Sequence, residues 1–297
     1  MIDAAIKRDF AARARAGDTV FLPGCFDAMS AMLAEKSGAP AVMTSGFAVS
    51  ATHLGFPDVE LYTMTENLTV VRNVVNAVGI PVIADTDTGY GNAINVMRTV
   101  REFEQAGVSA MIFEDQLAPK RCPAAAKQVE ILPAYEHAGK IRAAVQARRD
   151  PDTLIIARTD ATSEDEAIAR ANLYVEAGAD IIQPISRTFT DIDGLRRLRA
   201  AVGVPLSLQV LGWLEDLTPD QIREVAGIAV FPLVGLMTAA RAMQQNYAKL
   251  MQDLSTKSLP NPVMGMPEFK EFIGFEEIED QQAKYLVMDL KATGSLG

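Results

Sequence analysis

Three acidic side chains have the types and spacing of a metal site. Asp85 and Asp87 are two residues apart after one short apolar run, and Glu114 follows the next such run. Three carboxylates on adjacent strand ends repel one another unless a cation lies between them, and a hard divalent ion such as Mg²⁺ prefers oxygen ligands. The alternative is that they cap helices or pair with Arg158 and Lys120. The pattern favours metal binding.

Arg158 follows the apolar run 154–157 directly. A guanidinium is costly to bury there without an anionic partner. It could bind a substrate carboxylate through two parallel hydrogen bonds. A structural ion pair with Asp180 or Glu114 is the alternative interpretation.

Cys122 directly follows two cations, Lys120 and Arg121. Cationic neighbours favour the reactive thiolate form. A free cysteine is more often a small buried apolar residue, which is how we interpret Cys25, and for Cys122 both interpretations stay open. The two histidines, His53 and His137, do not have the spacing of zinc ligands with either cysteine.

Eight short apolar runs alternate with helical patterns, which predicts a (β/α)₈ barrel over residues 1–257. An open doubly wound sheet is the competing architecture. The predicted strands are Val20–Leu22, Ala41–Thr44, Pro81–Ala84, Ala110–Phe113, Leu154–Ala157, Asp180–Gln183, Pro205–Gln209 and Ile228–Phe231. The active site of a parallel barrel lies at the carboxyl ends of its strands, where the acidic residues and Arg158 are expected to meet.

The last segment, residues 258–297, lies outside this repeat and contains a predicted helix, Glu276–Lys291. It is expected to cap the barrel or to reach a partner chain. Predicted helices inside the repeat include Ala93–Ala106 and Glu164–Ala177.

Composition excludes several classes of function. The chain has 297 residues, 49% of them hydrophobic, and a formal net charge of −10. Such an acidic chain is a poor ligand for nucleic acids or anionic membranes. Two cysteines do not make a disulfide scaffold, and no apolar run approaches the ~18 residues that cross a bilayer. We expect a cytoplasmic protein.

The chain resembles the isocitrate lyase/phosphoenolpyruvate mutase superfamily, and in particular its short-chain members similar to methylisocitrate lyase. The resemblance covers most of the chain. The segments that carry it are Pro23–Ala28, Thr44–Phe47, Leu54–Asp58, Asp85–Gly89, Phe113–Gln116, Pro119–Cys122 and Ala157–Asp160.

The resemblance implies a Mg²⁺-dependent barrel, with Mn²⁺ as a possible substitute, that acts on small carboxylate substrates. Asp85 would bind the metal directly, and Asp58, Asp87 and Glu114 would hold it through waters. Arg158 would anchor the substrate. The remaining expected substrate contacts are Ser45, Gly46, Phe47, Gln183 and Gln209. The loop Lys120–Cys122 would be a mobile gate carrying the acid/base. The resemblance also implies a homotetramer with an exchanged C-terminal helix.

Several positions depart from the lyase pattern. Cys122 is followed by Pro-Ala-Ala-Ala, where lyases have Gly-His. Gln183 and Gln209 replace a usual Glu and Asn, and Val234 replaces a small hydroxyl residue. These changes alter the part of the pocket that would read the distal substrate carboxylates.

Three functions are therefore compared. The favoured one is a carbon–carbon lyase that cleaves a 2-hydroxy di- or tricarboxylate, resembling methylisocitrate or dimethylmalate, to a 2-oxo acid. The second is an oxaloacetate-type decarboxylase or hydrolase, which needs fewer distal anchors. The third is a silent protein that binds metal or oxo acid, against which the retained acidic and basic residues count.

Overall fold

A closed barrel of parallel strands forms the core of the protein. The computed structural model describes residues 2–122 and 129–286. The strands pair in chain order, and the last pairs with the first. They are β1 (Val20–Cys25), β2 (Val42–Thr44), β3 (Val82–Asp85), β4 (Ala110–Glu114), β5 (Leu154–Thr159), β6 (Ile181–Pro184), β7 (Leu206–Gln209) and β8 (Ala226–Phe231). The predicted barrel is confirmed, and the open-sheet alternative is wrong.

Helices precede, connect and follow the strands along the chain. They are α1 (Ala4–Ala16), α2 (Ala28–Lys36), α3 (Gly46–Val49), α4 (Met64–Ala77), α5 (Ala93–Ala106), α6 (Ala134–Ala147), α7 (Glu164–Glu176), α8 (Ile192–Val202), α9 (Pro219–Val225), α10 (Val234–Asp253), α11 (Met266–Ile273) and α12 (Phe275–Tyr285). The helix predicted from Glu276 begins one residue earlier, and its predicted end at Lys291 lies outside the described residues. None of the described helices is both long and apolar enough to cross a membrane.

Local sequence signals explain where the helices begin and end. The side chain of Asn92 accepts hydrogen bonds from the first turn of α5, and Gly107 ends that helix with a left-handed backbone, φ 99°. Gly203 likewise ends α8 with a left-handed backbone, φ 72°.

Residue alternation along the strands builds two apolar layers. One cluster contains alternate strand residues such as Ile83, Ile112 and Ile156, together with Phe10 and Ala14 of α1. The other joins the intervening residues, including Met111 and Phe113, to the surrounding helices. Successive side chains of a strand point to opposite faces, so the first cluster fills the barrel interior.

Contacts divide the chain into two compact units after Thr238, within α10. The first unit contains the barrel. In the second, the side chain of Asn246 accepts a hydrogen bond from the backbone N–H of Asn261, at 3.0 Å, which holds the segment after α10 against that helix. The domain boundary drawn from the sequence at residue 257 stays a prediction.

Candidate active site

The inward-facing strand residues change from apolar to polar at the carboxyl end of the barrel. On β4 the inward series Ala110 and Ile112 continues to Glu114, and β5 continues from Ile156 to Arg158. Glu114 pairs in register with Arg158, which pairs in register with Gln183 of β6. The two-residue period of a strand therefore aims these side chains at one mouth of the barrel.

A cavity of about 390 Å³ opens at this mouth. Its polar lining includes Ser45, Asp58, Asp85, Cys122, Arg158, Gln183, Arg187 and Gln209. Its apolar lining includes Met43, Phe47, Ile112, Ile185, Leu211, Leu233 and Met237. Eight of the twelve predicted site residues thus line one cavity: Ser45, Phe47, Asp58, Asp85, Cys122, Arg158, Gln183 and Gln209.

The buried ammonium group of Lys120 lies among the predicted metal ligands. Its Nζ is 2.6 Å from Oδ1 of Asp87, 3.0 Å from Oδ1 of Asp58 and 3.8 Å from Oε1 of Glu114. The pairing of these carboxylates with Lys120, one of the alternatives open from the sequence, therefore forms. Asp87 and Lys120 are almost fully buried beside the cavity rather than in its lining.

Arg158 is fixed by two carboxylates. Its Nη1 is 2.8 Å from Oε2 of Glu114, and it donates two hydrogen bonds to Asp160, at 3.0 and 3.1 Å. Of the two alternative ion-pair partners considered from the sequence, Glu114 is confirmed. Asp180 is wrong, because it faces the other end of the barrel and pairs with Arg15 and Arg148. A guanidinium held in this way presents a rigid cation to the cavity.

Burial disturbs the titration of the acidic residues. It raises the pKa of Asp85 to about 6, an effect that Lys120 opposes and that Asp87 and Asp58 reinforce. Burial likewise raises the pKa of Asp58 and, strongly, that of Glu114. The pKa of Lys120 is raised despite burial, because Asp87, Glu114 and Asp58 stabilise its charge.

The donor set fits a hard divalent cation. Among the described residues, the four carboxylates of Asp58, Asp85, Asp87 and Glu114 pair with or lie near the cations Lys120 and Arg158, and these two cations leave at least two of the negative charges unbalanced when all four are ionised. Oxygens of Asp58, Asp87 and Glu114 are buried without a well-formed hydrogen bond. Among residues 2–122 and 129–286, however, no three metal-ligand side chains are already arranged around one point. An added dication would balance the charge, with rearrangement around Lys120.

Gly46 brings the backbone against the carboxylate of Asp85. Its N–H donates to Oδ2 of Asp85 at 3.1 Å, and a Cβ at this position would lie 2.8 Å from that oxygen and from the hydroxyl of Tyr62. Only glycine permits this approach. The neighbouring Ser45 and Phe47 line the cavity, and their contact with a substrate stays a prediction, whereas Gly46 contacts the carboxylate of Asp85.

The two cysteines occupy different environments. Cys122 lines the cavity and is 8% exposed. Cys25 is the last residue of β1 and is completely buried, which raises the pKa of its thiol to about 12. Cys25 therefore packs, as expected. His137 lies on the buried side of α6, where burial and then Lys140 and Arg170 lower its pKa to about 3.

Two neutral amides, those of Gln183 and Gln209, form another wall of the cavity. The four carboxylates of Asp58, Asp85, Asp87 and Glu114 are called the acidic cluster below. Oε1 of Gln183 accepts hydrogen bonds from the hydroxyl of Ser207, at 2.9 Å, and from Nε2 of Gln209, at 3.2 Å. With its oxygen occupied, Gln183 has its amide N–H groups left to donate. These two amides can bind an acceptor, but they carry no positive charge themselves.

Sequence reasoning missed several side chains around the site. Glu60 accepts a hydrogen bond from the backbone N–H of Lys120, at 2.9 Å, and Tyr62 is buried beside Gly46 and Asp85. Arg187 lines the cavity from the loop after β6. Glu60 and Tyr62 lie on an irregular loop with no motif, so spacing gave no signal; Arg187 could have been noticed because it follows a strand end.

Comparisons with known proteins agree with this geometry. The family model described as phosphoenolpyruvate phosphomutase matches residues 10–253. The chain is 40% identical over 272 residues to 2,3-dimethylmalate lyase of Eubacterium barkeri, covering 90% of this chain and 93% of that protein. It is 37% identical to 2-methylisocitrate lyase of Aeropyrum pernix, covering 90% and 87%.

Among solved structures, phosphonopyruvate hydrolase in complex with oxalate and Mg²⁺ superposes with a TM-score of 0.85 at 31% identity, covering 94% of this chain and 99% of that one. The fold, the retained acidic cluster and these matches lead to one assignment. The chain belongs to the phosphoenolpyruvate phosphomutase family and is an enzyme of the isocitrate lyase/phosphoenolpyruvate mutase superfamily.

Proposed function

We propose that the protein is a Mg²⁺-dependent carbon–carbon lyase that cleaves a 2-hydroxy dicarboxylate bearing small alkyl groups, similar to 2,3-dimethylmalate, into a 2-oxo acid and a simple carboxylic acid. One observation carries the proposal. The thiol of Cys122, the cation of Arg158 and the carboxylate of Asp85 line the same cavity. An acid, a carboxylate anchor and a metal ligand are the groups that such a cleavage needs.

Substrate size follows from the lining of the cavity. Leu211, Leu233 and Met237 supply apolar surface for alkyl groups. The amides of Gln183 and Gln209 are neutral, and the cations of the described lining are Arg158 and Arg187, one for each carboxylate of a dianion. A dicarboxylate is therefore favoured over a tricarboxylate such as methylisocitrate.

The bond changes assign a role to each group. The hydroxyl on C2 gives its proton to an ionised carboxylate of the cavity lining, the role proposed for Asp58, and becomes the carbonyl of the 2-oxo acid while the C2–C3 bond breaks. The bonding electron pair moves onto C3 and its carboxylate as an enediolate, and the thiol of Cys122 delivers a proton to C3. Arg158 holds a substrate carboxylate, and Lys120 balances negative charge beside the acidic cluster. Mg²⁺, held by Asp85 with Asp58, Asp87 and Glu114, would supply Lewis-acid stabilisation of the oxygen on C2.

The activities named for two relatives support the proposal. The dimethylmalate and methylisocitrate lyases each match about nine tenths of this chain. The phosphonopyruvate hydrolase whose structure contains oxalate and Mg²⁺ makes magnesium and a small dianion reasonable ligands to test.

A second function is favoured by one observation. The neutral amide wall of Gln183 and Gln209 also suits a smaller 2-oxo acid such as oxaloacetate, which a decarboxylase or hydrolase would accept. Such a reaction can take its proton from solvent and does not need Cys122.

A substrate panel tests the proposal. Purified protein with Mg²⁺ is incubated with 2,3-dimethylmalate, 2-methylisocitrate, malate and oxaloacetate, and products are measured by chromatography. We expect 2-oxo acid and carboxylic acid in equal amounts from the alkylated malate, and no product after chelation of the metal. Turnover of oxaloacetate alone would replace the proposal with the second function.

A further inference from the structure

Gln116 hydrogen-bonds both to the carboxylate that holds Arg158 and to the loop that carries Cys122. It follows β4, is 1% exposed, and uses both ends of its amide. Its Nε2 donates to Oδ2 of Asp160 at 2.5 Å, and its Oε1 accepts from the backbone N–H of Arg121 at 3.0 Å. An ionised carboxylate only accepts and a peptide N–H only donates, so these two partners fix which way the amide points.

The first partner of Gln116 orients the substrate anchor. Asp160 is completely buried, and each of its carboxylate oxygens accepts a hydrogen bond from the guanidinium of Arg158. Oδ2 of Asp160 accepts from Gln116 and Arg158 together. The backbone of Asp160 is itself held by Oδ1 of Asp115, at 2.8 Å. The amide of Gln116 thus completes the hydrogen bonding of a carboxylate that would otherwise be under-satisfied.

The second partner lies between the two proposed catalytic residues of the loop. The N–H of Arg121 is one residue from Lys120, whose ammonium lies in the acidic cluster, and one residue from Cys122, which lines the cavity. The side chain of Arg121 is 61% exposed and contacts Glu130, so its position at the site depends on its backbone. The adjacent N–H of Lys120 is held separately by Glu60.

We propose that Gln116 is a positioning residue that fixes the place of the Cys122 thiol relative to the guanidinium of Arg158. The proposal rests on the proposed function, because it assumes that these two groups act on one substrate. A glutamine is required at this place, since an apolar side chain would leave the Arg121 N–H without its side-chain partner and would leave Asp160 with only its hydrogen bonds from Arg158 among those described. A glutamate would keep the acceptor for Arg121 but repel Asp160.

Two variants separate the two contacts without using the unknown substrate. Gln116→Met removes both hydrogen bonds, and Gln116→Glu removes only the one to Asp160. Gln105→Met, at an exposed position on α5, is the matched control. Binding of oxalate in the presence of Mg²⁺, measured by calorimetry, reports on Arg158. The rate at which iodoacetamide alkylates Cys122, measured by mass spectrometry, reports on the loop, with the buried Cys25 as an internal reference.

The proposal predicts a split between the two readouts. Gln116→Glu weakens oxalate binding at least about tenfold while Cys122 is alkylated at nearly the wild-type rate. Gln116→Met weakens oxalate binding to a similar extent and also changes the alkylation rate at least about fivefold. With the best substrate of the panel, the glutamate variant raises KM with kcat nearly retained, whereas the methionine variant changes both.

Other results overturn the proposal. Oxalate affinity and alkylation rates within twofold of the Gln105→Met control in both variants would show that the contacts only support folding. Circular dichroism checks folding. If Gln116→Met does not fold, the proposal is judged on Gln116→Glu, which should weaken oxalate binding and leave the alkylation rate of Cys122 nearly unchanged. If wild type does not bind oxalate, the anchor role of Arg158 in the proposed function fails, while the alkylation rates still test the contact with the loop.

Discussion

Replacing the thiol of Cys122 by a hydroxyl tests the chemistry most sharply. Cys122 is the cysteine that lines the cavity, and the buried Cys25 cannot replace it. A serine has nearly the same shape but is a far weaker acid. Since general acid catalysis contributes about 10²–10⁴-fold, Cys122→Ser is expected to lower kcat by that factor, or about 3–5 kcal/mol of activation free energy. Affinity for Mg²⁺ should not change, because the proposed ligands are carboxylates and the thiol is not one of them.

The assay is steady-state turnover of the best substrate, with Mg²⁺ affinity measured separately by calorimetry. Cys25→Ala is the matched control, since it removes the other thiol from a packing position and should keep activity. A Cys122→Ser enzyme with near wild-type kcat would reject protonation by the thiol. If Arg158→Ala were still severely impaired in the same assay, the decarboxylase or hydrolase would become the better interpretation.

Other parts of the structure give further predictions. Arg158→Lys keeps the charge but loses the paired hydrogen bonds to Asp160, so KM for the substrate should rise at least about tenfold in steady-state kinetics; an unchanged KM would remove Arg158 as the anchor. Because the pKa of Asp85 is raised to about 6, its carboxyl is protonated below that pH, and Mg²⁺ affinity measured by calorimetry should fall about tenfold per pH unit below pH 6 and level off above pH 7. Affinity independent of pH would argue against Asp85 as a ligand. Exposed apolar residues of the C-terminal unit, such as Ile273, Phe275 and Leu286, lead us to expect a tetramer by light scattering, and a monomeric mass at micromolar concentration would contradict it.

Much of the fold and the centre of the site could be predicted from the sequence. Buried parallel strands appear as short apolar runs, and all eight were located to within a few residues. The same period of two places Asp85, Glu114 and Arg158 at strand ends, so their convergence followed from the barrel rule. The bounds of α5 were predicted without error because Asn92 and Gly107 mark its two ends.

The contacts that no short-range pattern encodes could not be predicted. Lys120 was expected on the loop, but its burial between Asp58 and Asp87 depends on the path of the chain between distant segments. Gln116 hydrogen-bonds to Asp160, which is 44 residues away in the sequence. Glu60 lies on an irregular loop and contacts Lys120, 60 residues further along the chain. An ion pair between Arg158 and Asp180 was considered from the sequence, because sequence spacing does not reveal that these residues lie at opposite ends of the barrel.

The fate of the C3 proton tests the central claim most directly. The proposed substrate is cleaved in D₂O with Mg²⁺, and both products are examined by NMR and mass spectrometry. A lyase in which Cys122 protonates C3 from one side should give one equivalent of 2-oxo acid and a carboxylic acid with a single deuterium on one face of the former C3. Loss of carbon dioxide without these paired products, or deuterium distributed over both faces of C3, would contradict it.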